Sequence, residues 1–205
     1  MNASIEVAKI LLEEKAVFFR PDDPFTWTSG IKSPIYCDNR LLISNVKART
    51  FIINSFLDHL KELNFDVVAG TATAGIPWAA WIAQELNLPL TYVRSSSKNH
   101  GRQNSIEGVI QGNENVILIE DLISTGKSSL SAAQKIQETG AKVISILSIF
   151  NYDFKKTKEL FHQNKLRVNS LSGFDVLAGV AYEQNFLMKS ELEKILAWKE
   201  EMVLS

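Results

Sequence analysis

Cysteine occurs once in the 205 residues, as Cys37, so an internal disulfide framework and a thiolate-built zinc site are both excluded. Histidine is nearly as scarce. His59, His100 and His162 lie far apart with no metal-ligand spacing, and no metal held by protein side chains is expected. An excess of one charge is missing too: Lys+Arg 22 against Asp+Glu 23 gives a net charge of -1, so no basic coat for nucleic acid or an anionic membrane is present. Any anion site must therefore be local. No apolar run approaches the ~18 residues of a membrane helix, and the start MNASIEVAKILLEEK carries acids where a secretory signal has its apolar core. A reducing cytoplasm is the expected compartment.

What is present is an average globular composition, 45% hydrophobic and 22% charged, with no internal repeat or low-complexity tract. The length predicts one α/β domain over residues 1–205, with an N-terminal region at 1–63 and a core with C-terminal helices at 64–205. Val7, Ile10 and Leu11 recur at helical spacing, which predicts an amphipathic helix over 3–15. In FTWTSGIKSPIYCDN, at 25–39, Ser29 and Gly30 read as a hairpin turn between short β-prone pieces. A helix is expected over 46–63, with Phe51, Ile52, Phe56 and Leu60 on its buried face.

Beyond Phe65 short apolar runs alternate with helical patterns: strands at 67–70, 90–94, 116–119 and 143–150, helices at about 77–86 and up to Glu138. That alternation predicts βαβ units and a parallel sheet flanked by helices. Ligands of such sheets gather at the carboxyl ends of the strands, so the residues after Ala69, Tyr92, Ile119 and Ile149 are the candidates. The tail predicts a helix over 174–182, with Ser172 as its N-cap, and another over 189–202.

The most informative stretch is VILIEDLISTGKSS, at 116–129, where an apolar strand runs into two carboxylates and a hydroxyl-rich loop. A nucleotide-binding Walker A loop would use Gly126, Lys127 and Ser128, but it needs a glycine where Asp121 stands, and a carboxylate there repels phosphate. A solvated turn and an N-capped helix account for 124–128 but not for Glu120 and Asp121, which are costly to bury at a strand end. Carboxylates accept hydrogen bonds from a ribose diol, and a helix N-terminus with the hydroxyls of Ser124, Thr125 and Ser128 suits a phosphate. Ribose 5-phosphate satisfies both halves.

This stretch resembles the phosphoribosyl pyrophosphate (PRPP) motif of the type I phosphoribosyltransferases. Three more segments resemble the orotate-using members of that family: 25–39, GTATAGIP at 70–77, and YVRSSSKNHGRQNSIEG at 92–108. The resemblance implies a parallel β-sheet core flanked by helices, with residues 1–63 forming an N-terminal hood. It implies transfer of phosphoribosyl from PRPP to orotate, giving orotidine 5'-phosphate and pyrophosphate in pyrimidine synthesis, with Mg2+ and in a homodimer with shared active sites. PRPP would be held by Arg94, Lys98, His100, Glu120, Asp121, Leu122, Ile123, Ser124, Thr125, Gly126, Lys127 and Ser128. Pyrophosphate would meet Thr71, Ala72 and Thr73 in the small-residue loop, and Lys98, His100 and Asp121 would be catalytic. Many members carry lysine at Thr28 and arginine at Asn151, both toward the base; Ser124 and Arg40 are then the expected orotate ligands, with Lys32 as a second candidate cation. A phosphoribosyltransferase for another nucleobase and a non-catalytic PRPP-sensing regulator are the competing readings. The regulator requires a DNA-binding module or a lost lid, and neither is evident here.

Overall fold

The computed structural model describes residues 2–27, 29–95 and 105–204. Thr28 and the loop positions Lys98, His100 and Arg102 lie outside the described residues.

Helix α1 (Ala3–Glu13) is capped by Asn2, whose side chain accepts from Ser4 N, and buries Val7, Ala8, Leu11 and Leu12. Two small antiparallel pairs follow. β1 (Val17–Phe19) pairs with β4 (Ile35–Cys37), and β2 (Phe25–Thr26) pairs with β3 (Lys32–Ser33) about the expected turn, where Gly30 has φ +85°. A 3-10 turn, Asn39–Ser44, leads into α2 (Val46–Leu60), which stops short of the expected residue 63.

The main sheet has six strands in the order β10-β9-β8-β5-β6-β7. They are β5 (Val67–Thr71), β6 (Leu90–Val93), β7 (Ile106–Glu107), β8 (Asn115–Ile123), β9 (Lys142–Asn151) and β10 (Val168–Gly173). All neighbouring pairs are parallel except β6 with β7. Alternate residues of β8 feed the two faces, as strand geometry requires. Ile117 and Ile119 join the cluster with α1, α2, α3 (Gly75–Leu86) and α6 (Phe174–Glu183). Val116 and Leu118 join the cluster with α4 (Lys127–Gln137) and α5 (Lys155–Gln163). The final helix, α7 (Lys189–Leu204), buries Ile195 in the first cluster.

Two features position the site. From β5 the sheet grows toward β6, and from β8 toward β9 and β10, while α3 and α4 pack on opposite faces, so the β5–β8 gap is a topological switch point. Gly75 makes the gap tight: a Cβ there would stand 2.5 Å from Ile119 O.

Several expectations are corrected. β8 does not end at residue 119 but carries Glu120, Asp121, Leu122 and Ile123 within the strand, paired with β9 as far as Ile123 opposite Asn151. Ser172 does not cap α6; it lies buried within β10, and Gly173 precedes the helix without a side-chain cap. The segment between β9 and α6 holds a helix and a strand, α5 and β10, that the apolar pattern did not announce.

Candidate active site

The site is built where β8 delivers its carboxylates to the switch point and the hairpin region folds over them. A cavity of about 590 Å³ opens there, walled on one side by Asp121, Leu122, Ser124, Thr125 and Ser128, and on the other by Trp27, Tyr36, Cys37, Asp38 and Arg40, with Tyr152 completing it. A smaller cleft of about 80 Å³ lies between Thr71, Ala72, Arg94 and Lys135, and Ser128 lines both spaces.

The two carboxylates have different environments. Glu120 is 4% exposed; its Oε2 accepts from Ser129 Oγ at 3.0 Å and Ser128 Oγ at 3.4 Å, and its Oε1 accepts from Asp121 N at 3.2 Å. Burial, and then the adjacent Asp121, push Glu120 well above the usual carboxylate range. Burial raises Asp121 as well, against a hydrogen bond from Glu120 that favours its charged form. Of the two, Asp121 lines the cavity, while Glu120 lies beneath the wall, held by the hydroxyls of Ser128 and Ser129.

The loop after β8 is ready for an anion. Gly126 precedes α4 at φ +75°, and no side chain caps that helix, so its first N–H groups are not consumed by the Ser and Thr residues around them. The same holds at α3, where Ala74 provides no side-chain cap. Thr71 lines the smaller cleft, and its Oγ1 is buried without a hydrogen-bond partner among the described residues.

The hairpin wall is tied to this loop. Asn39, fully buried, donates from Nδ2 to Asp121 O at 2.7 Å, and the Cys37 thiol donates to Asn39 Oδ1 at 3.1 Å. Burial, then Asp121 and Asp38, raise Cys37, which keeps the thiol protonated for that bond. Burial likewise raises Tyr152 well above the ordinary phenol, and an interaction with the Cys37 backbone pulls it partly back. Trp27 meets Tyr152 edge to face at 4.8 Å, so the cavity has an aromatic lining on its hairpin side.

The structure sorts the expected residues. Asp121, Leu122, Ser124, Thr125, Ser128 and Arg40 come together on the main cavity, and Thr71, Ala72, Arg94 and Ser128 on the cleft. Thr73 and Lys127 are exposed and line neither space, Ile123 is core, and Gly126 packs against α5. Arg94 NH1 is ion-paired to Glu107 at 2.9 Å. Arg40 reaches the cavity with its fork already held by Asp38, Nε to Oδ1 at 2.6 Å and NH2 to Oδ2 at 2.7 Å. Lys32 lies off the lining. Asn151, expected toward the base, is turned away: its Oδ1 accepts from Asp153 N at 2.9 Å and it lines a separate cavity with Thr157 and Phe161, while Tyr152, the residue just past the end of β9, lines the main one. The hairpin residues Trp27, Tyr36, Cys37 and Asp38 were legible only as part of segment 25–39.

A switch-point crevice with a carboxylate pair on one strand and two uncapped helix N-termini is the site of a sugar-phosphate transferase. The phosphoribosyl transferase domain family matches residues 43–178, and the chain belongs to that family. Within it, its place is among the orotate phosphoribosyltransferases. It is 48% identical over 201 residues to "Orotate phosphoribosyltransferase" of Listeria monocytogenes, covering 97% of this chain and 96% of the relative. The Coxiella burnetii relative of the same name is 46% identical over 203 residues, covering 98% and 97%. Among solved structures, Leishmania donovani UMP synthase superposes with a TM-score of 0.84 at 28% identity, over 97% of this chain and 42% of that one.

Proposed function

We propose that this enzyme transfers the 5-phosphoribosyl group of PRPP to orotate, forming orotidine 5'-phosphate and pyrophosphate for pyrimidine nucleotide synthesis in the cytoplasm. The observation that carries the reading is the single cavity that joins Asp121 and the uncapped N-terminus of α4 to the aromatic hairpin wall.

In the transfer the bond from ribose C1 to pyrophosphate breaks, a ring N–H nitrogen of orotate forms the new bond at C1, and the proton it loses is taken up by the departing pyrophosphate. Positive charge develops on the sugar and negative charge on the leaving group, so catalysis is chiefly electrostatic. Asp121, on the cavity wall with Glu120 buried behind it, accepts hydrogen bonds from the ribose hydroxyls and stabilises the positive sugar. Backbone N–H groups of residues 124–128, with the hydroxyls of Ser124, Thr125 and Ser128, take the 5-phosphate. Thr71, Ala72 and Arg94 receive pyrophosphate in the cleft. Lys98 and His100 are assigned to the leaving group across a homodimer interface. Orotate lies between Trp27, Tyr36 and Tyr152, with Ser124 and Arg40 toward its carboxylate. No covalent enzyme intermediate is needed.

Mg2+ fits this donor set. It favours one or two carboxylates combined with substrate phosphates over a protein cage, and Asp121 among the loop hydroxyls supplies such a carboxylate. An ion held there by Asp121 and the substrate phosphates would supply charge neutralisation to the leaving pyrophosphate.

The test is an absorbance assay with PRPP, Mg2+ and each of orotate, uracil, adenine and hypoxanthine. Turnover of orotate alone is expected. Turnover of a purine in its place would assign the chain to the other-base reading, and tight PRPP binding without turnover of any base would favour the regulator.

A further inference from the structure

We propose that Thr157 is a positioning residue for PRPP: from α5, behind the active site, it sets the conformation of the 5-phosphate loop without touching the ligand. The inference rests on the assignment of residues 124–128 to the 5-phosphate.

Three observations converge on it. Thr157 is 3% exposed, and its Oγ1 donates to Ser124 O at 2.8 Å across 33 residues of sequence. A helical threonine ordinarily turns its hydroxyl to the carbonyl one turn back or to solvent; this one spends it on a loop from another element. The second observation is at Gly126, held at φ +75° against the same helix. A Cβ there would stand 2.9 Å from two ring atoms of Phe161 and 3.0 Å from Thr157 Cγ2. The loop backbone therefore lies directly on α5, with no room for a side chain between them. The third is geometric. The only cis peptide among the described residues is Ala72-Thr73, so the Ser124–Thr125 peptide is trans. In a planar trans peptide the C=O and the following N–H point in opposite directions. Drawing Ser124 O toward Thr157 turns Thr125 N–H away from α5, and Thr125 lines the cavity on that opposite side. Thr157 thus aims a donor that the 5-phosphate uses.

The sequence offered no sign of this. Thr157 sits in the charged run KKTKELFHQ, where its only buried companion is Phe161.

The experiment uses the full chain with Thr157→Val, which keeps the shape and removes the hydroxyl, and Thr157→Ser, which restores it. Steady-state kinetics in both substrates and calorimetric binding of ribose 5-phosphate are measured. Thr157→Val is expected to raise KM for PRPP by roughly three- to tenfold, to weaken ribose 5-phosphate comparably, and to leave KM for orotate unchanged; Thr157→Ser is expected to recover the wild-type values. If Thr157→Val does not fold, Phe161→Leu, which loosens the same loop through Gly126, is read in its place with the same expected split. Unchanged PRPP and ribose 5-phosphate affinity, or an equal rise in both KM values, would overturn the inference. Ribose 5-phosphate binding separates this failure from that of the function, because wild-type chain that binds the sugar phosphate but turns over no orotate refutes the reaction and leaves the loop assignment intact.

Discussion

Asp121 and Glu120 are neighbours in sequence with opposite surroundings, and their replacements should differ accordingly. Asp121→Asn removes the carboxylate proposed to meet the ribose hydroxyls and is expected to lower kcat by roughly ten- to hundredfold, while thermal melting shows the fold retained; kcat within the wild-type range would refute its role. For Glu120 the sign of the effect follows from its raised pKa. The folded chain holds a proton there that the unfolded chain has lost, so this contribution to stability is present below the unfolded pKa and disappears as pH rises through the folded one. Glu120→Gln should therefore lose less stability than wild type as pH is raised above about 4.3, the ordinary glutamate value; parallel melting curves across pH would contradict it. Arg40→Gln should raise KM for orotate more than that for PRPP, and equal constants in the variant and wild type would leave Arg40 as the partner of Asp38 alone. Single residues were also where the sequence misled. Asn151 and Tyr152 are adjacent at the end of β9, and only the fold decides that Tyr152, one residue past the strand, meets the cavity. Asn39, which ties the hairpin to Asp121 O, is one of many polar residues in the sequence and is singled out only by its burial.

Elements with strong apolar periodicity could be read directly, and those without it could not. The central strands β5, β8 and β9 follow from runs such as 116–119, because burial on both faces demands continuous apolar sequence. α5 buries only Thr157 and Phe161, and β10, VNSLSG, is an edge strand whose inner contacts include a hydroxyl pair, Ser148 Oγ to Ser170 Oγ at 2.7 Å. Neither gives an apolar pattern to detect. α7 was expected as a helix, but its role was not. Trp198 donates from Nε1 to Lys32 O at 2.8 Å and packs on Trp27 and Phe154, with centroids at 6.1 and 5.7 Å. The last helix therefore braces the hairpin that walls the base side of the cavity. Trp198→Ala should cost about 1–3 kcal/mol of stability, read as a fall of roughly 2–4 °C in Tm per kcal/mol at this chain length, and should raise KM for orotate through the displaced Trp27. Loss of stability with KM for orotate unchanged would confine Trp198 to packing.

Across the whole molecule, function follows from where the sheet reverses its order of growth. β5 and β8 are adjacent, their helices leave on opposite faces, and the loops after both strands open into the same crevice with uncapped helix N-termini. The hairpin region closes that crevice from above, with Asn39 and Tyr152 as the points of attachment. If Lys98, outside the described residues, acts on the partner's site, mixing Lys98→Ala with Asp121→Asn should restore roughly a quarter of wild-type activity through hybrid dimers with one intact site; no recovery despite verified subunit exchange would reject shared sites. The central claim is that sugar phosphate and base meet between the β8 loop and the hairpin. A crystal structure of the chain with orotidine 5'-phosphate tests it most directly. The account predicts the phosphate within hydrogen-bonding distance of the backbone N–H groups of residues 124–128, the ribose hydroxyls on Asp121, and the base against Trp27 and Tyr152. A nucleotide bound elsewhere, or reversed with its base in the loop, would contradict it.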